Sequence, residues 1–332
     1  MSSVRSKQAG FSLIELMIAL VIGLILVAGV LQVFVGSTIT YSMQSGLSKI
    51  QENGRFAISF LSRDIRQSGF TGCSRNAEFI NALSGTIPSF LSIEDAIFGE
   101  EGDKSTDSNI PDDPDSIEIK FVDPVSECQI ESHDKGNERF GCAADHSFNQ
   151  GDVLVATDCA YMAVFQFVKV GASDSVFHGE GVSISPNNKP NGIGYQYDDG
   201  SIMKMQSYKY YIANTTRGDP SLYREEVIST VSGAVLAAGR STGRELVEGV
   251  ENMQILYGVD SDNDGMVNYY APFSSSISDD IISVRVSLLI RSIEDTLVQN
   301  SQELQFGGRT VTFNDGRLRK VFTSTIALRN RL

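Results

Sequence analysis

The chain has 332 residues, of which 41% are hydrophobic and 20% are charged, and its formal net charge is −14. These values are typical of a folded protein that can bury a sizeable core. The acidic balance excludes nucleic acid as an expected partner, because phosphate binding needs a basic surface. It is compatible with cation binding.

The N-terminus is predicted to be a membrane anchor. No charged residue occurs from Leu16 to Gly36, and a helix of about 20 residues spans the hydrocarbon core of a bilayer. The run exceeds the roughly 7–15 apolar residues of a cleaved secretory signal. Arg5 and Lys7 precede it, so the positive-inside rule places the N-terminus in the cytoplasm and the rest of the chain outside. We therefore predict a transmembrane segment at about 14–36.

One carboxylate, that of Glu15, interrupts this apolar N-terminal stretch. A charge within a bilayer is costly and calls for a partner, and the stretch contains no cation after Lys7. The pattern indicates either pairing with a group outside the stretch or a side chain that snorkels to the headgroups.

The helix is predicted to continue beyond the membrane. No proline occurs between Met1 and Thr86, so nothing forbids one helix over 11–67. Ser68 and Gly69 follow it and suit a helix end. Apolar residues recur at helical spacing and predict one packed stripe, made of Ile39, Met43, Leu47, Ile50, Ala57, Leu61 and Ile65.

Beyond residue 70 the apolar period changes from about 3.6 to about 2. In the clearest case, 282–290, every second residue is a branched aliphatic one, which predicts a half-buried strand. Similar patterns predict strands near 117–121, 253–259 and 322–328, a buried pair at 153–156 and 162–170, and a hairpin of 209–213 with 222–227. We therefore predict an α+β fold, in which a long N-terminal α-helix, membrane-spanning in its first half, packs on a β-rich, mainly antiparallel exported domain over 68–332.

The cysteines Cys73, Cys128, Cys142 and Cys159 all follow the apolar run. Outside the cytoplasm an even number of cysteines favours disulfides. Four cysteines allow three connectivities, and sequence alone does not choose between them. We predict Cys128–Cys142, which closes a local loop, and Cys73–Cys159, which ties the end of the helix to the sheet.

The other polar clusters in the sequence do not indicate a catalytic or metal site. Cys128, His133, Cys142 and His146 have spacings that match no common zinc pattern. The chain has no Walker or H-E-x-x-H motif, and we predict no enzyme. The third histidine, His178, has no evident partner and is interpreted as a surface residue or a satisfied core residue. A basic C-terminal group is interpreted as the solvated face of a strand; its members are Arg317, Arg319, Lys320, Arg329 and Arg331.

An acidic loop after the predicted strand 253–259 matches the first half of a calcium loop. Asp260, Asp262 and Asp264 stand at alternate positions, and Gly265 follows as the turn residue. The carbonyl of Met266 would add a ligand. The sequence therefore predicts calcium as a cofactor, against the alternative of a plain acidic hairpin turn.

The second half of that loop departs from the pattern. Asn268 stands at the ninth position, but Ala271 replaces the bidentate glutamate of the twelfth. The loop must therefore recruit another acid, for which Asp279 and Asp280 are candidates, or bind calcium weakly.

The stretch from Gly10 to Glu15, Gly-Phe-Ser-Leu-Ile-Glu, precedes the apolar run and resembles the class III signal of type IV pilins and pseudopilins. The resemblance implies that a prepilin peptidase removes a leader of residues 1–10 by cutting between Gly10 and Phe11, and that the new N-terminal Phe11 is N-methylated. It also implies that Glu15 neutralises the terminal amine of a neighbouring subunit and so sets the axial register between helices.

The exported part resembles one branch of that family, the PilW-type minor pilins. The resemblance is carried by short stretches in a fixed order, namely Arg66–Phe70 before Gly72-Cys73, Gly151–Val155 before Asp158-Cys159, Tyr257–Asp260 and Ala327–Arg331.

This resemblance implies a structural minor pilin that helps initiate type IV pilus assembly and sits at or near the pilus tip. The implied partners are other minor pilins, the major pilin, the prepilin peptidase and the inner membrane, with no nucleic acid. The implied location is the bacterial inner membrane, with the exported domain in the periplasm, and then the pilus. Two alternatives stay open: a J-class pseudopilin of type II secretion, and a membrane-anchored adhesin or ligand-binding module.

Overall fold

The computed structural model describes residues 12–72, 77–85, 89–93, 95–107, 111–143, 146–170, 175–181, 184–232, 235–240 and 243–331, with the backbone alone described at 89, 184–185, 227–232 and 235–240. It is 23% helical and 41% strand. The long helix α1 is Leu13–Gln67, and short 3₁₀ helices are Ser89–Leu91, Ser275–Asp280 and Arg329–Arg331. The strands are β1 (Glu78–Asn81), β2 (Ile97–Glu100), β3 (Ser116–Asp134), β4 (Arg139–Cys142), β5 (Val153–Thr157), β6 (Tyr161–Gln166), β7 (Val176–Phe177), β8 (Ile184–Ser185), β9 (Ser201–Asn214), β10 (Pro220–Ser232), β11 (Val235–Arg240), β12 (Arg244–Glu248), β13 (Val250–Val259), β14 (Tyr269–Ala271), β15 (Ile281–Arg291), β16 (Gln302–Phe306), β17 (Arg309–Phe313) and β18 (Arg319–Ala327).

Helix α1 is continuous over 55 residues, which gives a length of about 80 Å at the standard rise. Its first half is exposed. The packed stripe starts later than predicted, since Ile39, Met43 and Leu47 remain more than a third exposed. The buried positions are Gly46, Ile50, Gly54, Ala57, Leu61, Asp64 and Ile65.

Two glycines let the helix approach the sheet closely. A Cβ atom at Gly54 would lie 2.5 Å from the ring of Phe322 on β18, and one at Gly46 would lie 2.6 Å from the side chain of Leu297. These residues lower helix propensity but provide the space that these two side chains occupy. Gly54 therefore serves helix–sheet packing in the exported part of the chain.

The helix packs on a four-stranded antiparallel sheet with the order β14-β13-β15-β18. The predicted alternation in β15 is confirmed, because Val284, Val286 and Leu288 are fully buried against the helix. The opposite face carries Leu289, which is covered by the β16–β17 hairpin. We call the helix with this sheet, its hairpin and the strand segments that share their core the stem region.

A twelve-stranded sheet continues from the stem into a second region, and the long strands β3 and β9 run through both. The register of β3 against β9 shifts between Asp123 and Cys128. Beyond that shift, β3 pairs with β4, while β9 pairs with β5. We call the part built from β1, β4–β7 and the distal ends of β3 and β9 the distal region. Its core holds residues such as Phe140, Phe165 and Tyr197.

The structure confirms one predicted disulfide and corrects one interpretation. Cys128 and Cys142 are disulfide-bonded across the β3–β4 pair, which removes both from any zinc site.

The basic C-terminal group is not wholly solvated, because Arg319 and Arg331 are buried. Arg319 forms ion pairs with Glu251 and Asp315.

Candidate functional site

The first half of α1 is an uncovered apolar surface. Its side chains are exposed from Leu13 to Val35, and the helix is long and apolar enough to cross a membrane. Small residues line the same stretch, and a Cβ atom at Gly23, Gly29 or Gly36 would meet nothing within 4 Å. Within the described chain, nothing covers this surface.

Glu15 has a partner at the very start of the helix. Its Oε2 accepts a hydrogen bond from the backbone N–H of Ser12 at 3.1 Å, and the Ser12 hydroxyl accepts one from Ile14 N–H at 3.3 Å. This reciprocal arrangement is a capping box, which satisfies backbone donors at the helix N-terminus. The sequence signal was present, since a serine stands three residues before a glutamate, but it was missed. The bonds supply no counter-charge to the carboxylate.

The predicted processing residues Gly10 and Phe11 lie outside the described residues.

The acidic loop between β13 and β14 brings its three carboxylates together. One oxygen from each of Asp260, Asp262 and Asp264 lies within 4.8 Å of the others. Asp260 is buried and the other two are exposed. Its oxygens accept hydrogen bonds from the backbone N–H groups of Asp264 at 3.2 Å and of Gly265 at 2.8 Å. Burial alone would raise the pKa of Asp260, but these hydrogen bonds to the carboxylate outweigh it and lower the pKa below its usual range.

The other residues expected near the cation make hydrogen bonds within the loop or across the sheet. Met266 N–H donates to the Asp264 carboxylate at 2.8 Å, and the Asn268 side chain accepts from Ser261 N–H at 2.7 Å. Asp280 lies across the sheet from Asp260, whose N–H donates to the Asp280 carbonyl at 2.9 Å. In the part of the chain that the structure describes, the cluster includes neither Asp279 nor Asp280. The expected extra acid is therefore not recruited by this loop conformation.

Two family models match the chain. Residues 5–31 match the prokaryotic N-terminal methylation motif. Residues 209–330 match the type IV pilus-assembly protein W. The two matches together are consistent with a PilW-type minor pilin. No curated protein and no solved structure matches it.

The PilW match falls on the stem region. It begins within β9 and contains β13, β15 and β18, the strands on which the helix packs. The methylation motif covers the start of the exposed helix surface. The matched parts are therefore the start of the uncovered half of the helix and most of the sheet that holds its other half. They support a pilin-like role in pilus assembly.

One polar cluster in the stem was not predicted. The buried carboxylate of Asp64, on α1, accepts hydrogen bonds from the Tyr210 hydroxyl, from Arg224 at 3.2 Å and from Arg63 at 2.8 Å. Burial raises the pKa of Tyr210, so the phenol stays a donor. Arg224 also lies over the Tyr208 ring, 4.2 Å from its centroid. This cluster fixes the helix to β9 and β10.

A second unpredicted pair lies in the distal core. His133 Nε2 is 3.0 Å from His178 Nε2, and both side chains are buried. His133 Nδ1 accepts a hydrogen bond from Tyr197 N–H at 3.2 Å, so its Nε2 carries the proton when the ring is neutral. Burial lowers the pKa of His133 to about 4 and that of His178 to about 3. No partner of His178 was evident from the sequence; of the two environments expected for it, surface or core, the structure shows the core, with His133 as its partner.

The second predicted disulfide falls partly outside the described residues. Cys159, which follows β5, is disulfide-bonded. Its predicted partner Cys73 lies outside the described residues. The Cys73–Cys159 pairing therefore stays a prediction.

Proposed function

We propose that the chain is a structural minor pilin that helps initiate type IV pilus assembly and sits at or near the pilus tip. The observation that carries the proposal is the division of one unbroken helix. Its first half is apolar and uncovered, while its second half is fixed to the sheet through close contacts at Gly54 and the buried Asp64. In such a chain, the place that the first half of the helix takes in a membrane or helix bundle also determines where the exported domain lies.

The maturation follows from the N-terminal motif. In this proposal a prepilin peptidase cuts between Gly10 and Phe11 and methylates the new terminus, with the N-terminus cytoplasmic and the exported domain periplasmic. The methylation-motif match supports these steps. The apolar helix then leaves the inner membrane to join the helices of other minor pilins and the major pilin. No catalysis by this chain is part of the proposal.

Glu15 would set the register between subunits. Its capping hydrogen bond leaves the negative charge without a counter-ion, and the cost of that charge in an apolar surrounding is high. The terminal amine of a neighbouring mature subunit would neutralise it, because opposite charges attract strongly at low dielectric. The helices would then dock with a fixed axial offset.

The tip position is supported by the shape of the exported part. The stem region alone holds the helix, and the distal region extends the sheet beyond it with a separate core. Such an enlarged domain suits a subunit present in few copies at one end of a filament better than one repeated along its length.

The Glu15 variants test the function. Glu15→Gln keeps the capping box, because glutamine serves at the same position, but it removes the charge. Glu15→Ala removes both. If the charge sets the register, both variants insert in the membrane but lose co-purification with other minor pilins and reduce piliation. Rescue by Glu15→Gln would instead assign Glu15 to helix capping and contradict the register role.

A J-class pseudopilin of type II secretion is the alternative that shares the N-terminus. The match to a pilus-assembly family favours the pilus. Deletion of the gene should therefore abolish or reduce piliation and leave secretion by the type II system unchanged. The opposite result would select the pseudopilin. An adhesin would instead leave piliation intact and reduce binding to a surface.

We also propose that the acidic loop binds calcium. The convergence of Asp260, Asp262 and Asp264 supports this. The loop also follows β13 directly, so a bound cation would hold the end of that strand. The lack of a twelfth-position acid favours weak binding.

A further inference from the structure

A groove of about 520 Å³ lies where α1 ends, within the roughly 300–1,000 Å³ range of ligand sites. The last turns of the helix, the β3 segment at Phe121 and the C-terminal 3₁₀ helix surround it. Arg63, Arg66 and Arg329 line it, and none of the described residues that line it is acidic. In a chain with a net charge of −14, this basic groove is a local reversal of charge.

The three guanidinium groups are available to a partner. The Arg63 side chain is 60% exposed although its Nε donates to Asp64. Arg66 and Arg329 are exposed, and across the described residues neither forms an ion pair. The helix C-terminus attracts one cation in its last turn. Its final carbonyls, however, already face the Asn330 amide, whose Nδ2 is 3.2 Å from the Ser68 oxygen. Helix capping therefore does not account for Arg329, and the side chain of Arg63 remains largely exposed beyond its bond to Asp64.

The floor of the basic groove is apolar. Phe121 and Val122 are buried beneath it, while Phe70 is half-buried and Pro124 is exposed. Val125, the next residue in the chain, is 90% exposed. A rim of positive charge around an apolar floor fits an apolar side chain flanked by carboxylates, because charge complementarity orients the contact and apolar burial stabilises it.

The basic groove continues into the outer face of the helix. A neighbouring groove along α1 is lined by Arg55 and Phe56, and the two grooves share Ser59. Phe56 is 52% exposed. The uncovered face of α1 therefore extends from its apolar first half to its last turn.

We propose that the basic groove docks an acidic segment from the exported domain of a neighbouring pilin-like subunit, with an apolar side chain of that segment on the floor. The inference rests on the proposed function, because that function places other subunits along the exposed face of this helix. A second copy of this chain and a small anion are rival occupants.

Site-specific photo-crosslinking in full-length chain expressed in its own cells tests the proposal. One photoreactive residue replaces Ser62, which lines the basic groove, and another replaces Val30 in the apolar half as a report on assembly. The expected Ser62 product is a peptide from another chain that carries the N-terminal methylation motif, with at least two carboxylates near the linked residue. Mass spectrometry of the linked peptide identifies it.

Charge reversal supplies the second arm. The double change Arg66→Glu and Arg329→Glu should lower the Ser62 cross-link at least about tenfold, because it replaces attraction by repulsion. Arg217→Glu is the matched control, since Arg217 is exposed on the β9–β10 turn far from the groove in sequence, and it should leave the yield unchanged. Unchanged thermal unfolding of each variant shows that the fold is kept.

The outcomes separate this proposal from the proposed function. A Val30 cross-link to other pilin-like chains without one at Ser62 overturns the groove alone. A Ser62 cross-link to a second copy, or one that survives the double reversal, also overturns it. Loss of the wild-type Ser62 cross-link on addition of inorganic phosphate at low millimolar concentration would assign the groove to a small anion. A Ser62 product from a protein without the methylation motif overturns the partner proposed here, and absence of pilin-like products at both positions counts against the pilus role itself.

Discussion

The stem and distal regions share two strands but are held together by different means. The stem buries the helix against β13, β15 and β18 through an aliphatic core, with one buried carboxylate cluster at Asp64. The distal region depends on an aromatic core, the Cys128–Cys142 disulfide and a buried histidine pair. The PilW match, residues 209–330, contains the stem strands β13–β18 and none of the distal strands β1 and β4–β7. The sheet that holds the helix is therefore the part that resembles the pilus-assembly family model, while the distal strands β1 and β4–β7 lie outside the match.

The largest effect is expected at Asp64, in the stem. Asp64→Ala leaves the buried Tyr210 hydroxyl and the partly buried Arg224 guanidinium without this acceptor, so we expect a loss of about 3–5 kcal/mol in the free energy of unfolding. Chemical denaturation of the full-length chain in detergent measures it. Asp295→Ala, at an exposed carboxylate, is the control. A loss below about 1 kcal/mol would mean that the cluster does not hold the helix.

Removal of the Cys128–Cys142 disulfide tests whether the two regions unfold independently. The bond joins residues 14 apart, and chain entropy for a loop of this size gives about 3 kcal/mol. The double change Cys128→Ser and Cys142→Ser should speed hydrogen exchange in β4 and β7 and leave β15 protected. Equal loss of protection in β15 would show that stem and distal region form one cooperative unit.

A feature could be predicted from the sequence when the residues that form it lie close together along the chain. The helix, the alternation of β15 and the local disulfide were predicted, because each rests on spacing within a short stretch. The contact of Asp64 with Arg224 spans 160 residues, and that of His133 with His178 spans 45. No local pattern marks such pairs, since strand order decides which side chains meet. Arg319 was misread for the same reason, because its partner Glu251 lies 68 residues away.

Acid should weaken the distal region first. Burial lowers the pKa of His133 to about 4 and that of His178 to about 3, whereas an unfolded histidine titrates near 6.5. The folded state therefore keeps both rings neutral. Its stability is full above about pH 6.5 and falls as the pH drops toward 4, by about 2 kcal/mol at pH 5 for each such histidine.

Unfolding at pH 7 and pH 5 measures this effect, with hydrogen exchange locating it. The double change His133→Phe and His178→Phe replaces both partners by apolar rings, so it should remove the difference between the two pH values in the distal strands. Carboxylates elsewhere titrate equally in both proteins and cancel in the comparison. A pH response confined to the stem, or one that persists in the double variant, contradicts the assignment.

The smallest expected effect is that of calcium, and it belongs to the stem. Asp260 follows β13 directly, and its N–H pairs with the Asp280 carbonyl before β15, so a cation on the loop would hold the two strand ends together. The three carboxylates repel one another, and calcium relieves that repulsion. With a dissociation constant of about 10⁻⁴–10⁻³ M, 1 mM calcium should add about 0.4–1.4 kcal/mol to the free energy of unfolding by mass action.

Hydrogen exchange should show this stabilisation in β13 and β14 and not in β5 and β6. The double change Asp260→Ala and Asp262→Ala should abolish it. Because Asp260 also accepts two backbone hydrogen bonds, this variant loses some stability without calcium, so the decisive quantity is the calcium-dependent increment within each protein. Magnesium at the same concentration is the ionic control, since it dehydrates reluctantly and demands stricter geometry. An increment of zero in the wild-type chain would identify the loop as an acidic turn held by its own backbone, and an equal increment in the distal strands would place the calcium elsewhere.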